Sequence, residues 1–266
     1  MTLVISWIGV DQKKTGPSIA SIYIASDSRY TWEKLGKFDY GTKVFGCATK
    51  PEIFGFCGDV LFPSVVLHQL IPQIDNGLLF GEVDDGQQKS LKIFNYISTS
   101  LKSYPPQFLG KTFTILHATR TNKMFQLYTI KYLNGQLESN LVPLPNYSTN
   151  VFSDGSGKAE FDVNWKSWED NRHNNYRTSR GVYHCLDKTL REIKDFQTGG
   201  LPQVVGLYRE GNCKLFGVIN NLKKYIFGKE SSEDIASNRI EWRNENFERI
   251  DPIALKLIEG AQRQPI

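Results

Sequence analysis

The second residue of the chain is a threonine, preceded only by Met1. A small residue at position 2 lets methionine aminopeptidase remove Met1, which leaves Thr2 with a free α-amine. A threonine hydroxyl is a poor nucleophile until a base takes its proton. An adjacent α-amine with a pKa of about 7.7 to 8.0 suits that task near neutrality. Further along, Ala25-Ser26-Asp27-Ser28-Arg29 follows the first hairpin, and Lys43 comes sixteen residues after Asp27, at the head of the next strand. Phe54-Gly55-Phe56-Cys57-Gly58-Asp59 runs from a strand directly into a helix. Phe152-Ser153-Asp154-Gly155-Ser156-Gly157 and Asp195-Phe196-Gln197-Thr198-Gly199-Gly200 complete the set. Taken singly, each piece is a surface turn, a loop or a solvated strand edge.

In this order the pieces resemble the β subunits of the proteasome and their bacterial relatives, which are N-terminal nucleophile hydrolases. The resemblance covers residues 2–219 and is thin between Pro105 and Asn150. It implies that Thr2 is the nucleophile, that Asp27 orients Lys43, and that the lysine charge favours deprotonation of the threonine hydroxyl. Gly58 matches the glycine whose N–H forms the oxyanion hole, and a helix N-terminus suits an anion because unpaired N–H groups and the helix dipole both point there. Ser156, with the Asp195 and Thr198 pair, matches the residues that hold the α-amine. Tyr30, Phe45 and Phe56 are expected near the pocket that selects the residue before the scissile bond, although they serve equally as core aromatics. The chain departs from the family in a longer first hairpin and in the bulk of Phe56-Cys57-Gly58-Asp59. With only Met1 ahead of Thr2, maturation is expected to need loss of that one residue.

The resemblance implies a threonine-type endopeptidase acting on peptides or unfolded proteins, assembled as a homo-oligomeric ring, with no cofactor and no metal. An ATPase partner is compatible with it but not identified by the sequence. Two alternatives use the same residues differently. A non-catalytic ring-forming scaffold would keep the fold alone, and the retained Asp27, Lys43 and Asp195 argue against it. A small-molecule amidase would run the same chemistry on another substrate.

The elements that must position these residues follow from apolar periodicity. Leu3 to Val10 and Ile19 to Ser26 read as a hairpin across the turn-forming stretch Asp11 to Ser18. Short strands are expected at Lys43 to Ala48 and Glu52 to Cys57, and helices over 59–72 and from Gln88 to Tyr104, where Pro105-Pro106 stops the second. Strands return at Thr112 to Ala118, Met124 to Tyr132 and Leu137 to Val142, with Asn134-Gly135 as the last hairpin turn. Val151 to Ser153 is a short strand. Val182, Leu186, Leu190 and Ile193 mark one face of a helix from Thr178 to Lys194, and a final hairpin joins Val204 to Tyr208 with Lys214 to Ile219. This order predicts an α+β protein, a four-layer αββα sandwich with Thr2 at its open end. Residues 1–219 form that domain, and 220–266 a polar extension with a weak amphipathic stretch near Ile253 to Ile258.

Composition narrows the setting. The 266 residues carry 32 Lys and Arg against 28 Asp and Glu, a net +4 too small and too scattered to argue for nucleic acid. No apolar run approaches the ~18 residues of a membrane helix, and the N-terminal stretch lacks the basic start of a signal peptide. Cys47, Cys57, Cys185 and Cys213 show neither zinc spacing nor a CxxC pair, so reduced thiols in a cytoplasmic protein are expected. His68 and His117 read as core residues, and His184-Cys185 point apart on one helix. No P-loop, dinucleotide fingerprint or HExxH motif occurs.

Overall fold

The computed structural model describes residues 2–32, 35–231 and 240–261. The β-branched run after Thr2 forms β1 (Leu3–Lys13), which pairs antiparallel with β2 (Gly16–Ser26). Lys13 stands opposite Gly16, so most of the expected turn is itself ladder and only Lys14-Thr15 reverses the chain. A small hairpin follows, β3 (Tyr30–Trp32) with β4 (Gly36–Phe38). Then come β5 (Val44–Gly46) and β6 (Glu52–Gly58), the helices α1 (Leu61–Asp75) and α2 (Gly86–Ser103), and three long strands: β7 (Thr112–Thr121), β8 (Met124–Leu133) and β9 (Gln136–Val142). Strands β5 to β9 make a five-stranded antiparallel sheet in chain order. The β8–β9 turn places Asn134 and Gly135 at φ 48° and 97°, as a two-residue primed turn needs.

β10 (Thr149–Gly155) returns to pair with β1, and α3 (Lys158–Asp170) and α4 (Ser179–Glu192) follow it. The remaining strands are β11 (Gln203–Tyr208), β12 (Lys214–Asn220), β13 (Lys223–Ile226), β14 (Lys229–Ser231), β15 (Ile240–Arg243), β16 (Ile250–Asp251) and β17 (Lys256–Leu257). The larger sheet runs β10-β1-β2-β11-β12-β13-β14, and β15 joins it parallel to β12. Alternation along β1 divides its side chains between two cores. Leu3, Ile5 and Trp7 pack with Phe161, Val182 and Leu186 of α3 and α4. Val4 and Ile8 pack with Ile53, Leu116 and Leu127 of the smaller sheet, whose other face packs Phe54 and Phe113 with residues of α1 and α2.

The expected fold class needs correction. In place of an α+β four-layer αββα sandwich, the chain is β-rich: 40% strand against 25% helix, mostly antiparallel sheet, with four α-helices among the described residues. Much of the unforeseen strand lies in stretches that read as turn or polar extension. The turn-forming segment after Val10 and the charged tail both join the larger sheet, and β13 and β14 carry Lys223, Lys224, Lys229 and Glu230 because outer strands tolerate and favour charge. The stretch Ile253 to Ile258 is a turn leading into β17, because the Asp251 carboxylate accepts from the Ile253 and Ala254 N–H groups at 2.8 and 2.9 Å. No helix among the described residues is long and apolar enough to cross a membrane.

Candidate active site

Thr2 lies at the start of β1, where the β1–β2 register sets Val4 opposite Ser26 and so brings Asp27 beside the chain start. The Asp27 N–H donates to the Leu3 carbonyl at 3.2 Å, and the Leu3 N–H donates back to Asp27 Oδ1 at 3.0 Å. Lys43 enters just before β5 and reaches both groups. Its Nζ donates to Asp27 Oδ1 at 2.9 Å and to Thr2 Oγ1 at 2.6 Å. Both ionic side chains are wholly buried. A buried ammonium is tolerable only when paired and aimed, and here its hydrogens point at a carboxylate and at a hydroxyl oxygen. Burial lowers the Lys43 pKa from its ordinary value, and the Asp27 charge and hydrogen bond offset only part of that.

A second chain of contacts runs from the Thr2 nitrogen. Thr2 N donates to Ser156 Oγ at 3.0 Å, Ser156 Oγ lies 2.9 Å from Thr198 Oγ1, and Thr198 Oγ1 donates to Asp195 Oδ2 at 2.9 Å. The direction of donation is consistent along the chain, from nitrogen through two hydroxyls to a carboxylate. Burial pushes the Asp195 carboxyl up, but the polar groups around it, the Ser156 hydroxyl, the Gln197 N–H and the Thr198 hydroxyl, outweigh it and hold the pKa below its ordinary value. With Met1 attached, the Thr2 nitrogen is a peptide N–H and no base. Removal of Met1 turns the same nitrogen into an amine beside the hydroxyl, connected through Ser156 and Thr198 to Asp195.

The backbone around Thr2 is under constraint. Thr2 has φ 120°, a conformation that is costly for a β-branched residue. That torsion exists only while a residue precedes Thr2, so cleavage of the Met1–Thr2 bond removes it. Met1 itself lies outside the described residues. Gly155 has φ 103°, and a Cβ there would collide with the Thr2 carbonyl oxygen and lie 3.5 Å from the Cys57 Cβ. The Gly155 backbone is thus wedged between Thr2 and the end of β6. Gly58, the next residue on that strand, has φ 90°, and a Cβ on it would come within 2.5 Å of the Thr112 carbonyl oxygen. Glycine is required there on both counts.

The seven residues expected to do the chemistry therefore occupy one region. Six are linked by the contacts above, and Gly58 stands at the end of β6 beside them. The aromatic trio divides. The Tyr30 ring lies 5.6 Å from Lys43 Nζ, with its hydroxyl donating to the Thr42 carbonyl at 2.5 Å. Phe45 and Phe56 are buried, stacked 6.3 Å apart in the core beneath α1.

Several supporting residues carried no role in the sequence reading. Asp27 Oδ2 accepts the Gly199 N–H at 3.0 Å and the Arg29 N–H at 3.2 Å, so three backbone N–H groups and the lysine converge on one carboxylate. Arg29 donates to Asp39 at 2.6 and 3.0 Å and to the Thr198 carbonyl at 3.2 Å, which ties both halves of the site together. Gln203, buried at the start of β11, accepts the Lys43 N–H at 3.0 Å and donates to the Gly41 carbonyl. Its one sequence signal is a long polar side chain at the head of an apolar strand.

The remaining histidines and cysteines are otherwise engaged. His117 Nε2 lies 2.8 Å from Glu52 Oε2, and His68 Nδ1 lies 2.7 Å from the Ser64 carbonyl. Burial pushes the Cys185 thiol up to about 12, which leaves it a poor nucleophile beside His184. No protein-family model matches the chain, and no curated protein matches its sequence.

Proposed function

We propose that the protein is a threonine-type amide hydrolase of the N-terminal nucleophile kind, acting on peptides or unfolded proteins once Met1 is removed. The observation that carries this reading is the 2.6 Å contact from Lys43 Nζ to Thr2 Oγ1 within a fully buried lysine–aspartate pair. Thr2 Oγ1 attacks the amide carbonyl as its proton passes to the Thr2 α-amine, directly or through a water. Lys43 steadies the developing alkoxide, and the Gly58 N–H meets the carbonyl oxygen as it becomes an oxyanion. The C–N bond then breaks, the protonated α-amine gives its proton to the leaving amine, and an acyl ester remains on Thr2. Water hydrolyses that ester by the same relay in reverse.

A scaffold subunit has no use for the arrangement, because isolating an ion pair from water stabilises less than apolar packing of the same volume. The resemblance on which this reading rests carries a homo-oligomeric ring with it, and the exposed Leu61, Val65 and Leu91 on α1 and α2 offer apolar surface for assembly. The four unpaired cysteines support a reducing, cytoplasmic setting. The test is hydrolysis of a fluorogenic peptide library by protein that begins at Thr2. Wild type and Thr2→Ser should turn over, with Thr2→Ala inactive and Lys43→Ala at least about a thousandfold slower. Full activity in Thr2→Ala would refute the reading, as would a wild type with no activity on any amide.

A further inference from the structure

Lys43 must stand between Asp27 and Thr2, yet the chain that brings it there is no part of a regular ladder. β5 starts only at Val44, opposite Gly55, and residues 41–43 lie outside any strand. Buried backbone polar groups outside a ladder need partners from elsewhere. The Gly41 N–H donates to the Ser28 carbonyl at 2.9 Å, the Thr42 carbonyl accepts the Tyr30 hydroxyl, and the Lys43 carbonyl accepts the Phe56 N–H at 3.1 Å. Two further groups, the Gly41 carbonyl and the Lys43 N–H, both go to a single side chain, that of Gln203.

Gln203 is 1% exposed at the head of β11, where its backbone stands opposite Ser26, the residue before Asp27. Its Oε1 accepts the Lys43 N–H at 3.0 Å, and its Nε2 donates to the Gly41 carbonyl and, at 3.4 Å, to the Asp27 carbonyl. The side-chain amide therefore does for residues 41–43 what a peptide group of a neighbouring strand would do, offering one acceptor and one donor side by side. A neutral amide carries that pair in one rigid plane. A protonated carboxyl presents the same pattern, an ionised carboxylate presents acceptors alone, and a methionine of similar length presents neither and leaves the buried backbone groups unpaired. Gln203 grips the backbone of both members of the ion pair, at the Asp27 carbonyl and at the Lys43 N–H, and so fixes the position from which Lys43 Nζ reaches Thr2 Oγ1. Misplacement of a reacting group by about 1 Å costs on the order of a hundredfold in rate.

We propose that Gln203 is a positioning residue for the hydrolysis put forward above, its side-chain amide setting where Lys43 Nζ stands against Thr2. The inference rests on that reading of the site, and its test separates the two. Kinetics are measured on chains that begin at Thr2, per folded molecule as counted by near-ultraviolet circular dichroism. Gln203→Met should lower kcat about a hundredfold or more while KM stays within about threefold. In Gln203→Glu the introduced carboxyl is buried and titrates well above the ordinary glutamate range. Protonated, it replaces the amide; ionised, it turns an acceptor towards the Gly41 and Asp27 carbonyls. Its kcat relative to wild type should therefore fall at least about tenfold between about pH 6 and about pH 9.5. A residue that only supports the fold would lower the melting temperature and leave kcat per folded molecule and its pH profile unmoved. In NMR spectra of isotope-labelled lysine, the Lys43 ammonium signal, identified by its loss in Lys43→Met, should shift in Gln203→Met. A Gln203→Met protein with kcat within about threefold of wild type overturns the proposal, as does a Gln203→Glu ratio that does not fall with pH or a Lys43 signal that does not move. Where Gln203→Met does not fold, the Gln203→Glu profile decides. A wild type inactive on every amide fails the hydrolase reading, and the Lys43 signal then decides the positioning alone.

Discussion

Asp27 and Lys43 are a bonded pair, yet their removal should have unequal consequences. Without Asp27 the lysine ammonium stays buried and loses its counter-charge, and the Leu3 and Gly199 N–H groups lose their acceptor. Without Lys43 the carboxylate still accepts three backbone N–H bonds. Asp27→Ala should therefore destabilise by about 3–5 kcal/mol and Lys43→Met by roughly 1–3 kcal/mol, as read from urea denaturation midpoints. Equal losses would show that the ion pair, and not the N–H cluster, organises this corner. The lysine also predicts a pH dependence. Its folded pKa is lowered, so above that value the unfolded chain holds more protons than the folded one, and stability rises with pH from there towards the ordinary value of 10.5. Lys43→Met should lack this rise when the two proteins are compared between about pH 7 and pH 10. Gly58→Ala adds a Cβ against the Thr112 carbonyl at φ 90°. The backbone must shift to admit it, and if Gly58 supplies the oxyanion N–H as proposed, the peptide assay should show kcat lowered by about a hundredfold or more.

At the scale of elements, the sequence was most legible where apolar periodicity was strong. The β1–β2 hairpin, α2, α4 and the Asn134-Gly135 turn were all readable, because each pairs a regular pattern with a clear stop or turn residue. α3 escaped notice. Phe161, Trp165 and Trp168 recur at helical spacing, but Lys158, Glu160, Asp162, Asn164 and Lys166 surround them and dilute the pattern. Those three side chains fill the core against Leu3 and Ile5, the residues that follow Thr2. Phe161→Ala should therefore cost about 3–5 kcal/mol. Because β1 carries Thr2, any peptide hydrolysis should fall with it, as the melting temperature and a parallel activity assay would show. A loss under about 1 kcal/mol would mean that α3 does not buttress the strand that carries Thr2. The tail was opaque for a different reason. Outer strands bury little and carry charge, so β13 and β14 look like solvated loop until their partner is known.

Taken as a whole, the molecule gathers its site from six segments spread between residues 2 and 203, joined mainly by the register of β1 with β2 and β10 and by β11 beside β2. The order of those segments and the interval from Asp27 to Lys43 were visible in the sequence. The class of fold was not, since the balance of strand over helix was set by pairings that local pattern does not reveal. The charge that matters most is absent from the sequence as written: the α-amine of Thr2 appears only when residue 1 is gone. The most direct measurement is therefore reaction of the purified protein with a β-lactone probe, followed by intact mass and peptide mapping. The expected result is a chain lacking Met1, one probe per chain, an acyl ester on the Thr2 hydroxyl, and no labelling of Thr2→Ala. A native chain that retains Met1, or a probe attached elsewhere with Thr2 unmodified, would contradict it.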